Sequence, residues 1–219
     1  FKTFLKHADN LTQDEAMLFG CAGFLECECT DDYPLLLRRE FSAMKAKFNL
    51  LTMPATRWKF MRMRPSNFPT VRLAQLAQII HKNGCVFSKI LEANNVADAK
   101  QLLKVTPSDY WATHYRFDAA SPKHQKSLGE ETADILIINA IVPLLFCYGQ
   151  KHYYETLCER ASDFLEQIPA ENNAITRHYA QCGWQAQSAM HSQAMIQLHD
   201  TYCKRKRCLE CRIGNVLLK

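Results

Sequence analysis

Apolar residues along this chain recur at intervals of three and four, seldom of two, which is the period of a helix face. Thr12 and Glu15 have the spacing of a capping box, and Met17, Leu18, Cys21, Phe24 and Leu25 follow as one stripe. Pro34 suits the first turn of a second helix, with Leu36, Leu37, Phe41, Met44 and Phe48 as its apolar positions. Residues 49–68, holding Pro54 and Pro65, are the least helical stretch. A helix opens at Pro69, turns Leu73, Leu76, Ala77 and Ile80 inward, and stops at Asn83 and Gly84. Short helices are predicted over 86–92 and 97–105, another from Thr106 and Pro107, and a polar loop over 115–129. Longer helices over 130–149, 152–167 and 185–203 close the chain, with a shorter one over 170–182 that Gly183 ends. The predicted fold is all-α, an irregular multi-helix bundle of about eight to ten helices. It is read as a single helical domain over 1–219.

Composition narrows this reading. With 47% hydrophobic residues the chain can bury a full core, and seven Gly and eight Pro leave little turn chemistry for a hairpin-rich β fold. It opens inside an apolar pattern, Phe1, Phe4 and Leu5, so it reads as the C-terminal part of a longer protein. The apolar run 135–148 falls short of the roughly 20 residues that span a bilayer. It contains Asn139 and Pro143, and reads as a buried core helix kinked at the proline, with Asn139 bonded to backbone and no membrane partner. Among ten cysteines, Cys21, Cys85, Cys147 and Cys158 stand singly in apolar surroundings. That is the usage of buried thiols in a reducing, cytoplasmic setting. The net charge of +5 is uneven: residues 51–100 hold eight Lys or Arg against Glu92 and Asp98.

Three groups of residues carry candidate chemistry. Cys203, Cys208 and Cys211 flank four basic residues, and the Cys-x-x-Cys spacing lets two thiolates converge on one metal. His199, four residues before Cys203, is the fourth ligand in this reading, with Cys182 as another candidate. Zinc is the expected metal, an iron–sulfur cluster the second choice, and unliganded thiols the plain alternative. The second group is Arg57, Lys59, Arg62, Arg64 and, on the next helix, Arg72. These cations alternate with Trp58, Phe60 and Phe68, a pattern that neutralises phosphates and stacks on bases. The start of the helix at Pro69 and Thr70 offers a further phosphate seat. Burial explains the same aromatics equally well. Third, His114 stands four residues before Asp118, the arrangement of a base and its orienting acid, but no nucleophile adjoins it. The sequence holds no Gly-rich phosphate loop, dinucleotide fingerprint, His-Glu-x-x-His or nucleophile elbow, so no enzymatic machinery is recognisable.

The blocks Trp58–Arg72, Tyr110–Phe117, Ser192–Leu198 and Tyr202–Gly214 together resemble a bacterial family catalogued as domain of unknown function 2851. The resemblance implies a chain about twice as long, of which this is the C-terminal helical half, and an endonuclease-like α/β domain ahead of it. It implies no established activity or ligand set, and His199 is not part of the family pattern. The cysteine loop is also similar to that of the iron–sulfur DNA glycosylases, though the first spacing is four rather than six and no cysteine follows Cys211. Two functions are therefore expected. The first is an accessory helical domain of a nucleic-acid-related protein; the second is a protein-interaction domain that scaffolds its own N-terminal half.

Overall fold

A computed structural model describes residues 10–218; the apolar positions Phe1, Phe4 and Leu5 lie outside that range. The fold is all-α, 64% helical, with one small two-stranded ribbon among the described residues. In chain order the helices are α1 (Leu11–Cys21), α2 (Asp32–Phe48), α3 (Pro69–Asn83), α4 (Val86–Glu92), α5 (Val96–Leu103) and the single turn α6 (Tyr110–Thr113). A ribbon of β1 (His114–Arg116) and β2 (Ala119–Ala120) comes next. Then follow α7 (Glu130–Leu136), α8 (Val142–His152), α9 (Glu155–Gln167), α10 (Ala174–Gln181), α11 (Ala189–Leu198) and α12 (Arg212–Leu217). The described residues form two compact units, one of residues 10–92 and 100–133, the other of residues 93–99 and 134–218.

The first unit is organised around Trp111, which is fully buried. Its indole stacks on Phe19 at 5.2 Å and lies 5.4 Å from Phe117, while Leu37, Phe41, Leu73 and Ala74 complete the surrounding core. α2 and α3 begin as the prolines require, with Pro34 and Pro69 in first turns where a missing amide donor costs nothing. Two predicted details change. The cap of α1 is Asn10, whose side chain accepts from the Gln13 amide at 3.0 Å, so Thr12 and Glu15 form no capping box. Glu15 instead lies inside the unit, 2% exposed, accepting from Ser108 Oγ at 2.8 Å. Leu76, predicted inward, is exposed; Gln75 takes the inner position and donates to the Lys126 carbonyl at 2.9 Å. The helix expected from Thr106 and Pro107 starts only at Tyr110 and lasts one turn.

Burial pushes the Glu15 carboxyl above its ordinary value of 4.5, and burial also raises Asp14 despite His81 at 3.1 Å. A raised carboxyl favours the protonated native state. The stability it withholds at neutral pH therefore returns as pH falls through the native pKa towards 4.5. Glu15→Gln is expected to gain stability over the parent at neutral pH and to lose that advantage in mild acid. Urea unfolding of both proteins across that pH range reads the difference, and a constant gap would contradict the burial cause.

Gly23 follows α1 and lies against Met53 and Ala55, just ahead of the basic stretch. Its φ is +80°, and a Cβ there would lie 2.1 Å from the Met53 carbonyl oxygen. The Met53 amide in turn donates to the Cys21 carbonyl at 2.9 Å. Gly23→Ala is expected to cost at least about 1–2 kcal/mol from the left-handed backbone alone, and to raise amide exchange through residues 51–60. Unchanged exchange there would show that the segment does not depend on this contact.

The second unit is built on the part from Asp134 onward of a continuous helical run, Glu130–His152, whose ladder widens into a π turn at Ile137–Ile141 just ahead of Pro143. In it the Val142 amide donates to the Ile137 carbonyl, one residue wider than the α ladder, next to the proline where a kink was predicted. By length and composition alone this helix is long and apolar enough to cross a membrane, a test that a core helix also passes. Ile137, Ile138, Ile141, Val142 and Leu145 are buried, whereas Ile135, Leu144 and Phe146 are exposed. Asn139 is exposed as well, not buried, and donates to the Ile135 carbonyl at 2.9 Å. α9 contributes Leu157, Ala161 and Phe164, and α11 contributes Ala189 and Met195. α10 starts at Ala174 behind a capping box of Asn173 and Thr176, four residues later than predicted. α11 likewise starts at Ala189, after Ser188, rather than at 185. The ten cysteines are all free thiols. Contrary to the predicted burial, Cys85 and Cys147 are exposed and Cys21 and Cys158 are half-buried.

Candidate nucleic-acid interface and cysteine pocket

The basic segment runs between α2 and α3, where prolines keep it out of a helix. Pro65 and Pro69 hold the residues before them extended, Arg64 at φ −66°, ψ 140° and Phe68 at φ −58°, ψ 141°. Two short 3₁₀ turns, Ala55–Arg57 and Pro65–Asn67, fold the rest. Its aromatic residues are anchored inward. Trp58 Nε1 donates to the Ala22 carbonyl at 2.9 Å, and Phe60 packs edge-on to Phe24 at 6.0 Å and to Phe68 at 5.1 Å. These rings are half-buried, with Trp58 and Phe60 packed against the core of the first unit.

The cations go the other way. Arg57, Lys59, Arg62 and Arg64 are exposed, and among the described residues none has an ion-pair or hydrogen-bond partner for its side chain. Arg62 sits at the apex of a turn with φ 62°, a conformation that costs a non-glycine residue about 1 kcal/mol. The exposed methionine beside it, Met61, is 86% accessible.

Arg72 is held apart from these four. Half-buried on α3, it donates to Gln75 Oε1 at 2.8 Å, Asn67 Oδ1 at 2.6 Å and Thr132 Oγ1 at 3.4 Å. Burial lowers its pKa, and no carboxylate pairs with it among the described residues. It borders a polar cavity of about 160 Å³ together with Lys126, a residue that sequence reasoning left in a polar loop. Lys126 is buried. Its ammonium donates to the Trp111 carbonyl at 2.5 Å and the Ala112 carbonyl at 3.1 Å, and lies 4.0 Å over the Tyr115 ring. Only the tertiary fold reveals that position. The helix start at Pro69 and Thr70, expected to seat a phosphate, is closed: both residues are buried, and Thr70 Oγ1 donates to the Tyr115 carbonyl at 2.5 Å.

His114 and Asp118 are not brought together as base and orienter. The imidazole stacks on Tyr110 at 4.0 Å, with Nδ1 beside Thr113 Oγ1 and the Tyr110 carbonyl and Nε2 3.5 Å from Asp31. Asp118 accepts from the backbone amides of Thr30 and Asp31 at 2.9 and 2.8 Å, the Asp31 bond foremost in holding its pKa below the ordinary carboxylate value. The block is a hydrogen-bonded support for the Trp111 core.

In the second unit, Cys203, Cys208 and Cys211 all line one cavity of about 620 Å³, together with His199 and Cys182. α11 delivers Cys203 through a π turn, His199–Cys203. The loop then reverses through Lys206, at φ 54°, and Cys211 leads into α12. Gly214 permits the final approach, since a Cβ there would lie 2.3 Å from the Cys208 carbonyl oxygen. His199 Nδ1 faces the Asp200 carboxylate at 3.1 Å. Among the described residues, no three His, Cys, Asp or Glu side chains stand close enough to share a single ion.

An all-α chain with an unpaired cationic segment and a cysteine-lined cavity is the class that these features define. The chain belongs to the family described as protein of unknown function, DUF2851, which it matches over residues 1–174. The basic segment and the Trp111 core fall inside that range, and the cysteine cavity falls beyond it. No curated protein and no solved structure matches the chain.

Proposed function

We propose that the first unit is an accessory nucleic-acid-contacting module, which touches the phosphate backbone through Arg57, Lys59, Arg62 and Arg64, with Arg72 set behind them. The observation that supports this reading is the absence of carboxylate partners for the four exposed cations among the described residues. Surface arginines that serve only solubility are commonly met by mixed charge. Four within eight positions, with no acidic residue between 49 and 72, form a field of one sign. Because Trp58, Phe60 and Phe68 are half-buried and turned to inward partners, the contact reads backbone and not stacked bases. Binding is then insensitive to sequence. Titration of labelled DNA and RNA duplexes by fluorescence anisotropy tests the reading: the parent protein binds both, and Arg62→Glu/Arg64→Glu binds neither well. Parent-like binding by that variant would reject it.

A second reading, a scaffold for another domain, draws on the exposed apolar positions Ile135, Leu144 and Phe146 in the second unit. It would be preferred if duplexes failed to bind the parent protein.

A further inference from the structure

We propose that the polar cavity bounded by the start of α3, Tyr115 of β1 and the loop leading into α7 binds one dianionic phosphate group, held by Arg72 with Lys126 as a second positive charge. This goes beyond the nucleic-acid reading and does not rest on it, since Arg57, Lys59, Arg62 and Arg64 do not line the cavity.

The first argument is charge without a counter-charge. Cations taken out of water are ordinarily met by a carboxylate. Arg72 and Lys126 line one cavity, and neither has an ion-pair partner among the described residues. No Asp or Glu among the described residues lies on its wall. Burial lowers the pKa of both cations, with no acidic group opposing it. An oxyanion in the cavity supplies the missing charge.

The second argument is that the arginine is already positioned. Its partners Gln75, Asn67 and Thr132 are all neutral acceptors. Gln75 is buried, and its Nε2 donates to the Lys126 carbonyl at 2.9 Å, so one amide ties Arg72 to the loop that carries Lys126. A guanidinium carries five N–H donors, so these three bonds leave two for an incoming oxygen. Lys126 acts differently. Its ammonium is engaged by the Trp111 and Ala112 carbonyls and the Tyr115 ring, and it contributes field rather than a hydrogen bond.

The size and walls of the cavity narrow the ligand class. At about 160 Å³ it is smaller than the roughly 300–1,000 Å³ of pockets that enclose drug-sized ligands. It admits the phosphate group and leaves the remainder of any ester outside. Ser66, His124 and Ser127 line it and are exposed, which places its mouth at the solvent. Two cations with hydroxyl donors suit a group of charge near −2 and three acceptor oxygens better than a singly charged carboxylate.

The test is titration of the full chain with inorganic phosphate by calorimetry, against sodium chloride at equal ionic strength. The parent is expected to bind one phosphate per chain. Arg72→Gln should weaken binding by at least about tenfold. Ser127→Asp, an exposed position at the mouth, should do the same by placing a carboxylate there, with an unchanged melting midpoint showing that its fold is intact. Replacing Arg57, Lys59, Arg62 and Arg64 by glutamine should leave phosphate binding as in the parent, even where duplex binding is lost. A single strand with a 5′-phosphate is compared with the same strand ending in a 5′-hydroxyl. Tighter binding of the phosphorylated strand, abolished by Ser127→Asp, assigns the group to a nucleic-acid end; equal binding of both strands assigns it to free phosphate or a small ester. Heat no greater than that of sodium chloride in the parent, undiminished binding in folded Ser127→Asp, or loss of phosphate binding in the fourfold glutamine variant would each overturn the assignment.

Discussion

Trp111→Ala should destabilise the first unit by about 3–5 kcal/mol, the usual cost of removing a fully buried large aromatic residue. The position justifies the upper part of that range. The indole stacks on Phe19 at 5.2 Å, lies 5.4 Å from Phe117, and donates through Nε1 to Tyr33 Oη at 3.1 Å. Tyr33 is itself joined to Ser108, which donates to the buried Glu15 carboxylate, so the variant also leaves a polar chain without its end donor. At about 2–4 °C per kcal/mol for a chain of this size, the melting midpoint falls by about 10 °C or more. Trp111→Phe keeps most of the volume and should recover over half of the loss. A midpoint within a degree or two of the parent would mean that the indole is not the centre of this core.

The second large effect concerns binding. Replacing Arg57, Lys59, Arg62 and Arg64 together by glutamine should leave the unfolding free energy within about 0.5 kcal/mol of the parent. All four side chains are exposed, and no partner among the described residues loses a contact. Duplex affinity should fall nonetheless. An exposed ion pair with a phosphate is worth up to about 1 kcal/mol, so four lost contacts weaken binding by about 10²–10³-fold. Arg62→Gly separates the two properties further. It removes one cation and relieves the strained φ of 62°, so it should bind more weakly without being less stable.

Much of the framework is legible in the sequence. Pro34 and Pro69 mark helix starts, Asn83 and Gly84 mark a stop, and three-and-four spacing finds α2, α3 and α9. The less legible parts depend on contacts between distant residues. Thr12 and Glu15 have a capping pattern, but Glu15 is claimed by Ser108, 93 residues away, and Asp14 by His81, 67 residues away. Local polarity gives no sign of either burial. The basic segment is visible as a mixture of cations and aromatics, yet which way each points is settled by partners such as the Ala22 carbonyl and Phe24. Cys203, Cys208 and Cys211 announce themselves by spacing. Cys182 joins them only because α10 ends beside their cavity. Lys126 gives no local signal at all, since its role comes from the carbonyls of Trp111 and Ala112.

The salt dependence of duplex binding tests the central claim most directly. Each phosphate neutralised on B-form DNA contributes about −0.9 to the slope of log K against log salt concentration. The four exposed cations therefore predict a slope of about −4 for the parent protein. They predict a slope close to zero for the fourfold glutamine variant. A parent slope near zero, or the same steep slope in both proteins, would contradict the account.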